Sequence, residues 1–334
     1  MDRTFKILSI DGGGIRGIIP ALVLTEIERR TGRPISKLFD LIAGTSTGGI
    51  IALGLTRPGE AGQPRYRAEQ IVDLYLREGK RIFSRSLWHR IRSAEGLLEE
   101  KYQAGEVEKV LDEYFGETRL SEALTNVFVT SYEIELRSPW FFRSARPDEP
   151  GRDFPMKKVA RATSAAPTYF EPAKLEKSGD PGYWALVDGG VYANNPTLCG
   201  LVEARVAFGA DDVFVVSLGT GERTRRIPYA KAKGWGVAGW ARPVLDVVFD
   251  GVSDTVHFQA QQLCGTVSGK RRYYRYQVEL AAAREEWVDD WDDASETNLD
   301  RLRELTKRMI EKRSAELDEM CAALTEAQSA AGVT

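Results

Sequence analysis

Residues 7–17 read ILSIDGGGIRG and residues 39–49 read FDLIAGTSTGG. Each is an apolar, strand-like run that breaks at once into glycines and small hydroxyl residues. Helical spacing follows each break: Ile18 to Arg30 carries Ile19, Leu22, Val23 and Ile27 on one side, and Thr47 to about Leu55 is almost wholly apolar. Strand, helix, strand, helix with short connections implies an α/β fold whose parallel sheet is covered on both faces. The strand ends of such a sheet gather along one edge, where these folds bind their ligands.

Further along, the pattern predicts a loop at 57–67, helices from Ala68 to about His89 and from Glu106 to Tyr114, and strands at Asn126 to Glu133 and Trp140 to Phe142. Ala185 to Val187 reads as a strand end, Thr197 to Phe208 as a helix, Val213 to Leu218 as a buried strand and Arg271 to Glu279 as a late strand. Asn298 to Leu324 has the spacing of one long charged helix, with Leu302, Leu305, Met309, Leu317, Met320 and Leu324 along one side. The organisation expected is a catalytic domain over 1–290 and a C-terminal helical tail over 291–334, packed on that domain or extending from it.

Composition narrows the function classes. With 46 Lys and Arg against 49 Asp and Glu, the net charge of -3 gives no overall field favouring nucleic acid or anionic lipid, so any membrane attraction has to be local. Cys199, Cys264 and Cys321 are far apart, odd in number and without metal-ligand spacing, which suits inert thiols in a reducing compartment. The first residues reach Asp11 without a signal-peptide core, and no run has the length of a spanning helix. A cytoplasmic protein, peripheral at a membrane when engaged, is the expectation, with its oligomeric state open.

Gly44-Thr45-Ser46-Thr47-Gly48 fits the nucleophile-elbow pattern, in which a sharp strand-to-helix turn lifts a serine hydroxyl clear. The pentapeptide is weak alone; the apolar run before it and the helical run after it supply the context the motif requires. A hydroxyl needs a base. Ser46, Asp188 and His257 stand in the order of an α/β-hydrolase triad, but the elbow follows only the second strand, and His257 lies in a stretch that reads as helical. Asp188, at the end of Ala185 to Val187 and before Gly189-Gly190, would emerge at the same sheet edge as Ser46. Its difficulty is chemical, since a carboxyl with a pKa near 4 is a weak base toward an alcohol.

Gly12, Gly13 and Gly14 offer backbone N–H groups for an oxyanion, with Arg16 anchoring the loop or adding charge. The same residues satisfy the dinucleotide fingerprint Gly12-x-Gly14-x-x-Gly17. That fingerprint expects an acidic residue at the end of the second strand, where this chain has Gly44-Thr45-Ser46. The oxyanion hole is therefore the better use, and a nucleotide-binding enzyme the rival.

Four ordered motifs, Asp11-Gly-Gly-Gly-Ile-Arg-Gly17, Gly44-Thr-Ser-Thr-Gly-Gly49, Ala162-Thr-Ser-Ala-Ala-Pro167 and Asp188-Gly-Gly190, resemble those of patatin-like phospholipases, from about Lys6 to Gly221. The resemblance implies a three-layer α/β/α fold with a central, mostly parallel sheet. It also implies a Ser46–Asp188 dyad without histidine, calcium or cofactor, with Gly12, Gly13, Gly14 and Arg16 at the oxyanion. The implied substrates are acyl esters of phospholipids, galactolipids or neutral lipids, with no nucleic-acid partner. Some patatin-like proteins are bacterial defence effectors released by a signalling nucleotide, and that remains an alternative.

Two segments are candidates for a lipid surface: Arg77 to Arg92, basic with Phe83, Leu87 and Ile91 at four-residue spacing, whose plainer reading is a helix docked on its own core with a solvated basic face, and the pair Trp235 and Trp240, which suits a glycine-rich packed loop equally well. Asp289, Asp290, Asp292 and Asp293 lack the spacing and glycine of a calcium loop and read as a solvated acidic surface.

Overall fold

A computed structural model describes residues 4–83, 96–145, 152–167, 169–177, 181–222, 227–240, 243–267, 269–280 and 292–326. Eight strands form the main sheet: β1 (Phe5–Ile10), β2 (Leu41–Thr45), β3 (Asn126–Glu133), β4 (Ser138–Arg143), β5 (Ala173–Glu176), β6 (Tyr183–Asp188), β7 (Val213–Leu218) and β10 (Tyr273–Tyr276). A separate short hairpin holds β8 (Thr266–Val267) and β9 (Lys270–Arg271). The order is β10-β7-β1-β2-β3-β6-β5, with β4 also paired to β3. The pairs from β10 to β3 are parallel, and β4, β5 and β6 join by antiparallel pairing.

Both faces of the sheet are buried, and the period of two along the strands assigns residues to them. Ile7, Val213, Val215 and Tyr273 belong to one apolar cluster, while Leu8, Ile10, Phe214, Val216 and Tyr274 belong to the other. The described helices are α1 (Ile18–Thr31), α2 (Thr47–Thr56), α3 (Ala68–Phe83), α4 (Gly96–Phe115), α5 (Met156–Thr163), α6 (Gly190–Ala193), α7 (Thr197–Phe208), α8 (Tyr229–Ala232), α9 (Val237–Trp240), α10 (Pro243–Cys264), α11 (Glu296–Lys312) and α12 (Ser314–Thr325). Leu201 and Ala204 of α7 and Ala260 of α10 pack in the smaller cluster; α1 to α5 and the C-terminal helices pack in the larger. The result is three layers, α/β/α, with a mostly parallel centre.

Three sequence expectations change. The second strand runs from Leu41 rather than Phe39, which brings Thr45 into the ladder and puts Ser46 directly after it. The expected long C-terminal helix breaks at Arg313, whose φ of -106° and ψ of 22° leave the helical region. The break lets α11 and α12 follow the body: Leu299, Leu302, Met309, Leu317, Met320 and Leu324 join the larger cluster, and Arg30 Nη1 donates to the Ser314 carbonyl at 2.7 Å. Finally, β6 runs antiparallel to β3, so Asp188 does not leave the sheet along the same edge as Ser46.

That reversal has a geometric consequence. Residues 128–133 of β3 pair with β4 on one flank; on the other, 126–130 pair with β2 and 131–133 pair with β6. β2 and β6 therefore meet end to end along one flank of β3, Thr45 opposite Thr130 and Asp188 opposite Ser131. Adjacent positions on β3 thus bring the two strand ends together.

Candidate active site

Ser46 occupies the turn between β2 and α2 with φ 55° and ψ -124°, a backbone state that costs a non-glycine residue about 1–3 kcal/mol and persists only where its surroundings enforce it. Here they do. The Ser46 N–H donates to Thr163 Oγ1 at 2.8 Å, and that hydroxyl donates to the Thr130 carbonyl at 2.7 Å. Behind the turn, α2 lies so close to β1 that a Cβ at Gly48 would collide with the Ile10 carbonyl. The small residues of the pentapeptide are thus required by the approach of helix to strand.

Asp188 ends β6 with 3% of its surface exposed. Its N–H donates to the Ala165 carbonyl at 3.0 Å, and its Oδ1 accepts from the Gly190 N–H at 2.7 Å. Burial raises its pKa to about 7, against the opposing pull of hydrogen bonds from the Ser46 hydroxyl and the Gly190 N–H. The environment removes the objection that an ordinary carboxyl is too weak a base, because the best catalytic pKa lies near the working pH. Residues 162–167 had no role legible in the sequence. In the structure Thr163 braces the serine and Ala165 the aspartate, so one short segment sets the position of both.

Ser46 and Asp188 line one narrow cavity of about 60 Å³ together with Asp11, Gly12, Gly13, Gly14, Arg16 and Asn194. The glycines divide their duties. The Gly12 N–H donates to the Asn194 carbonyl at 2.9 Å, so it is spent on the fold and is not an oxyanion donor. Gly12 matters for space instead, since a Cβ there would lie 3.3 Å from the Ser46 Cβ. The N–H groups of Gly13 and Gly14 donate to no acceptor among the described residues and precede the turn that leads into α1. Arg16 is buried, and its Nε lies 3.5 Å from the Gly13 carbonyl, which its backbone N–H also reaches at 3.2 Å; it anchors the loop.

The cavity's other wall comes from beyond the motifs: Thr220, Gly221 and Glu222 after β7, Phe249, Asp250, Ser253 and Asp254 of α10, and Gln277 after β10. His257, one turn past Asp254, does not line it. Its Nδ1 lies 3.0 Å from the Tyr273 hydroxyl, and burial together with the nearby Arg275 cation lowers its pKa. The second histidine, His89, lies outside the described residues.

Elsewhere the expectations divide. Asp292 is buried, and Asp293 Oδ1 accepts from the Ser295 N–H at the start of α11, so neither fits the solvated acidic surface expected; Asp289 and Asp290 lie outside the described residues. Among the described residues no group of three or more His, Cys, Asp or Glu is arranged to hold a metal ion. Of the basic stretch Arg77 to Arg92, residues 84–92 lie outside the described residues, and Arg81 pairs with Glu78, Glu106 and Glu113. Trp235 and Trp240 pack edge to face, 5.2 Å between ring centres. Among the described residues no helix is long and apolar enough to cross a membrane.

A family model described as patatin-like phospholipase matches residues 8–198. Patatin-like protein 4 of Arabidopsis thaliana is 32% identical, the alignment covering 91% of this chain and 83% of that protein. Patatin-like protein 2 of Arabidopsis thaliana is 33% identical, covering 92% and 83%. Among solved structures, human GIVD cytosolic phospholipase A2 aligns with a TM-score of 0.46 and 10% identity, over 98% of this chain and 61% of that one.

Proposed function

Given that the chain belongs to the patatin-like phospholipase family, we propose that it is a lipid acyl hydrolase that cleaves fatty acyl esters through Ser46 and Asp188. The observation that carries this reading is the pairing of a strained turn at half-buried Ser46 with a buried carboxyl whose pKa is raised to about 7 in the same cavity. Ionised Asp188 takes the Ser46 proton as the hydroxyl oxygen attacks the ester carbonyl. The Gly13 and Gly14 N–H groups receive the oxyanion, supported by the positive end of α1. Protonated Asp188 then gives its proton to the leaving alcohol or lysolipid, and water repeats the cycle on the acyl-enzyme.

The cavity of about 60 Å³ is far smaller than the roughly 300–1,000 Å³ of a typical ligand site, and Phe249 to Asp254 of α10 form part of the wall around it. The surface beside that wall supports contact with a lipid surface. Val237 is 91% and Tyr229 80% exposed, Trp240, Val244, Val247 and Val248 are exposed as well, and the only charges from Ile227 to Trp240 are Lys231 and Lys233. Apolar and aromatic side chains with interspersed lysines suit an anionic interface.

A fluorophosphonate probe with site mapping tests the chemistry. The label is expected on Ser46, and Ser46→Ala is expected to lower hydrolysis of a short-chain ester by at least about 10³-fold with the fold intact. A label on another serine, or near-normal activity of that variant, would reject the dyad.

A further inference from the structure

A buried ion pair at the root of the glycine loop joins Asp11 to Arg275, a residue that no motif marks. Asp11, the acid that opens the glycine loop, is 2% exposed and makes a two-pronged ion pair with Arg275: Nη1 to Oδ1 at 2.9 Å and Nη2 to Oδ2 at 2.6 Å. Arg275 is 8% exposed and sits on β10, two strands from β1, so its side chain crosses β7, where Nη1 also donates to Ser217 Oγ at 2.8 Å. The two residues are 264 positions apart, and Arg275 lies well outside the residues matched by the family model.

The loop beyond Asp11 has backbone tethers of its own, from the Gly12 N–H to the Asn194 carbonyl and from Arg16 to the Gly13 carbonyl. The Asp11 N–H donates to the Leu218 carbonyl at 3.0 Å, and Thr220 Oγ1 donates to the Gly12 carbonyl at 2.6 Å. Each of these contacts holds a single backbone group at Asp11, Gly12 or Gly13, and none involves the N–H groups of Gly13 and Gly14. A guanidinium that engages both carboxylate oxygens adds a restraint on orientation at the root of the loop, because a fork-to-fork contact defines a plane where a single hydrogen bond defines only a distance. Arg275 is itself held from behind: its carbonyl accepts from Arg313 Nη1 at 2.6 Å, and Arg313 lies over the Tyr276 ring at the junction of α11 and α12.

We propose that Arg275 is a positioning residue for the oxyanion loop, its grip on the Asp11 carboxylate aiming the Gly13 and Gly14 N–H groups at the reacting carbonyl. This rests on the Ser46–Asp188 reading above. The C-terminal part of the chain thereby acts on the catalytic centre through β10 without touching substrate.

The test uses the full-length protein with Arg275→Gln, Arg275→Lys, Asp11→Asn and the double variant Asp11→Asn/Arg275→Gln, assayed on p-nitrophenyl butyrate. Arg275→Gln is expected to lower kcat about 30-fold or more with KM changed less than about threefold, since the loss falls on the transition state. Arg275→Lys should recover part of kcat, and the double variant should lose no more than the worse single one, because the two act as a unit. Hydrogen exchange across residues 10–17, where the Asp11, Gly12 and Arg16 N–H groups are bonded, should quicken in each variant. A kcat within twofold of wild type in a folded variant, a loss confined to KM, additive losses or unchanged exchange would each overturn the proposal. Should Arg275→Gln leave Asp11 unpaired and fail to fold, the double variant, which buries no lone charge, decides by the same measures. If Ser46→Ala proved active, the dyad would fall, while hydrogen exchange would still decide whether Arg275 holds the loop.

Discussion

Replacing Asp188 by asparagine tests the premise on which the chemistry depends, and it predicts a stability gain together with the loss of activity. The folded protein retains a proton on Asp188 up to about pH 7, whereas the unfolded chain releases it near the ordinary value of about 3.9. The stability this group contributes is therefore complete below about pH 4 and is lost as the pH rises through 7. With those two values, wild type loses roughly 2–3 kcal/mol from this one group between pH 5 and pH 8. The asparagine variant does not titrate in that range, and its amide can still accept from the Gly190 N–H, now 2.7 Å from the carboxyl. Every other titrating group is common to both proteins. The difference in unfolding free energy, variant minus wild type, should thus widen by roughly 2–3 kcal/mol between pH 5 and pH 8, measured by urea denaturation followed through tryptophan fluorescence. A difference that stays flat within about 0.5 kcal/mol, or narrows, would refute the claim that burial holds this carboxyl near neutrality. The stabilised variant should hydrolyse ester at least about 10³-fold more slowly.

The acid limb of kcat/KM on a soluble ester should bend near pH 7, falling about tenfold per pH unit below it, and His257→Ala should leave both the limb and the rate nearly unchanged. A limb that follows His257 would bring back the triad. Thr163→Val, which removes the hydroxyl between the Ser46 N–H and the Thr130 carbonyl, should cost about 2–3 kcal/mol and lower kcat about tenfold; thermal unfolding and steady-state rates report the two effects. Lys231→Glu combined with Val237→Asp, carried in a Ser46→Ala background so that lipid is not consumed, should weaken sedimentation with phosphatidylglycerol vesicles at least about tenfold. The same surface pair in active protein should leave hydrolysis of a soluble ester unchanged, and undiminished vesicle binding would remove this face as the anchor.

The parallel start of the sheet, the two glycine-rich breaks and the serine on the second of them were all legible in the residues. Each is written locally: an apolar run ends, small residues follow, and helical spacing begins, so the period of the side chains carries the information. Asp188 was legible as a strand-end carboxyl before two glycines, but its usefulness as a base was not. A pKa near 7 is a property of 3% exposure, and burial is decided by what the rest of the chain places over the group. The direction of β6 was hidden for a similar reason: antiparallel pairing with β3 depends on partners over 50 positions away, and the strand's own residues read alike in either direction. The helix break at Arg313 follows from the need of Leu317 and Met320 to reach the core, a demand that the charged-helix pattern does not reveal.

What the sequence by itself determined is the identity of the candidate groups and the kind of turn that carries each, because backbone sterics and hydrogen-bonding needs act over a few residues. Only the tertiary structure decided how those groups behave. The end-to-end meeting of β2 and β6 beside β3, the shared brace from 162–167, and the reach of Arg275 across β7 to Asp11 all join residues far apart in the chain. Proximity, burial and charge pairing are properties of the packed whole, and it is packing that turns a common hydroxyl and a common carboxyl into a candidate catalytic pair.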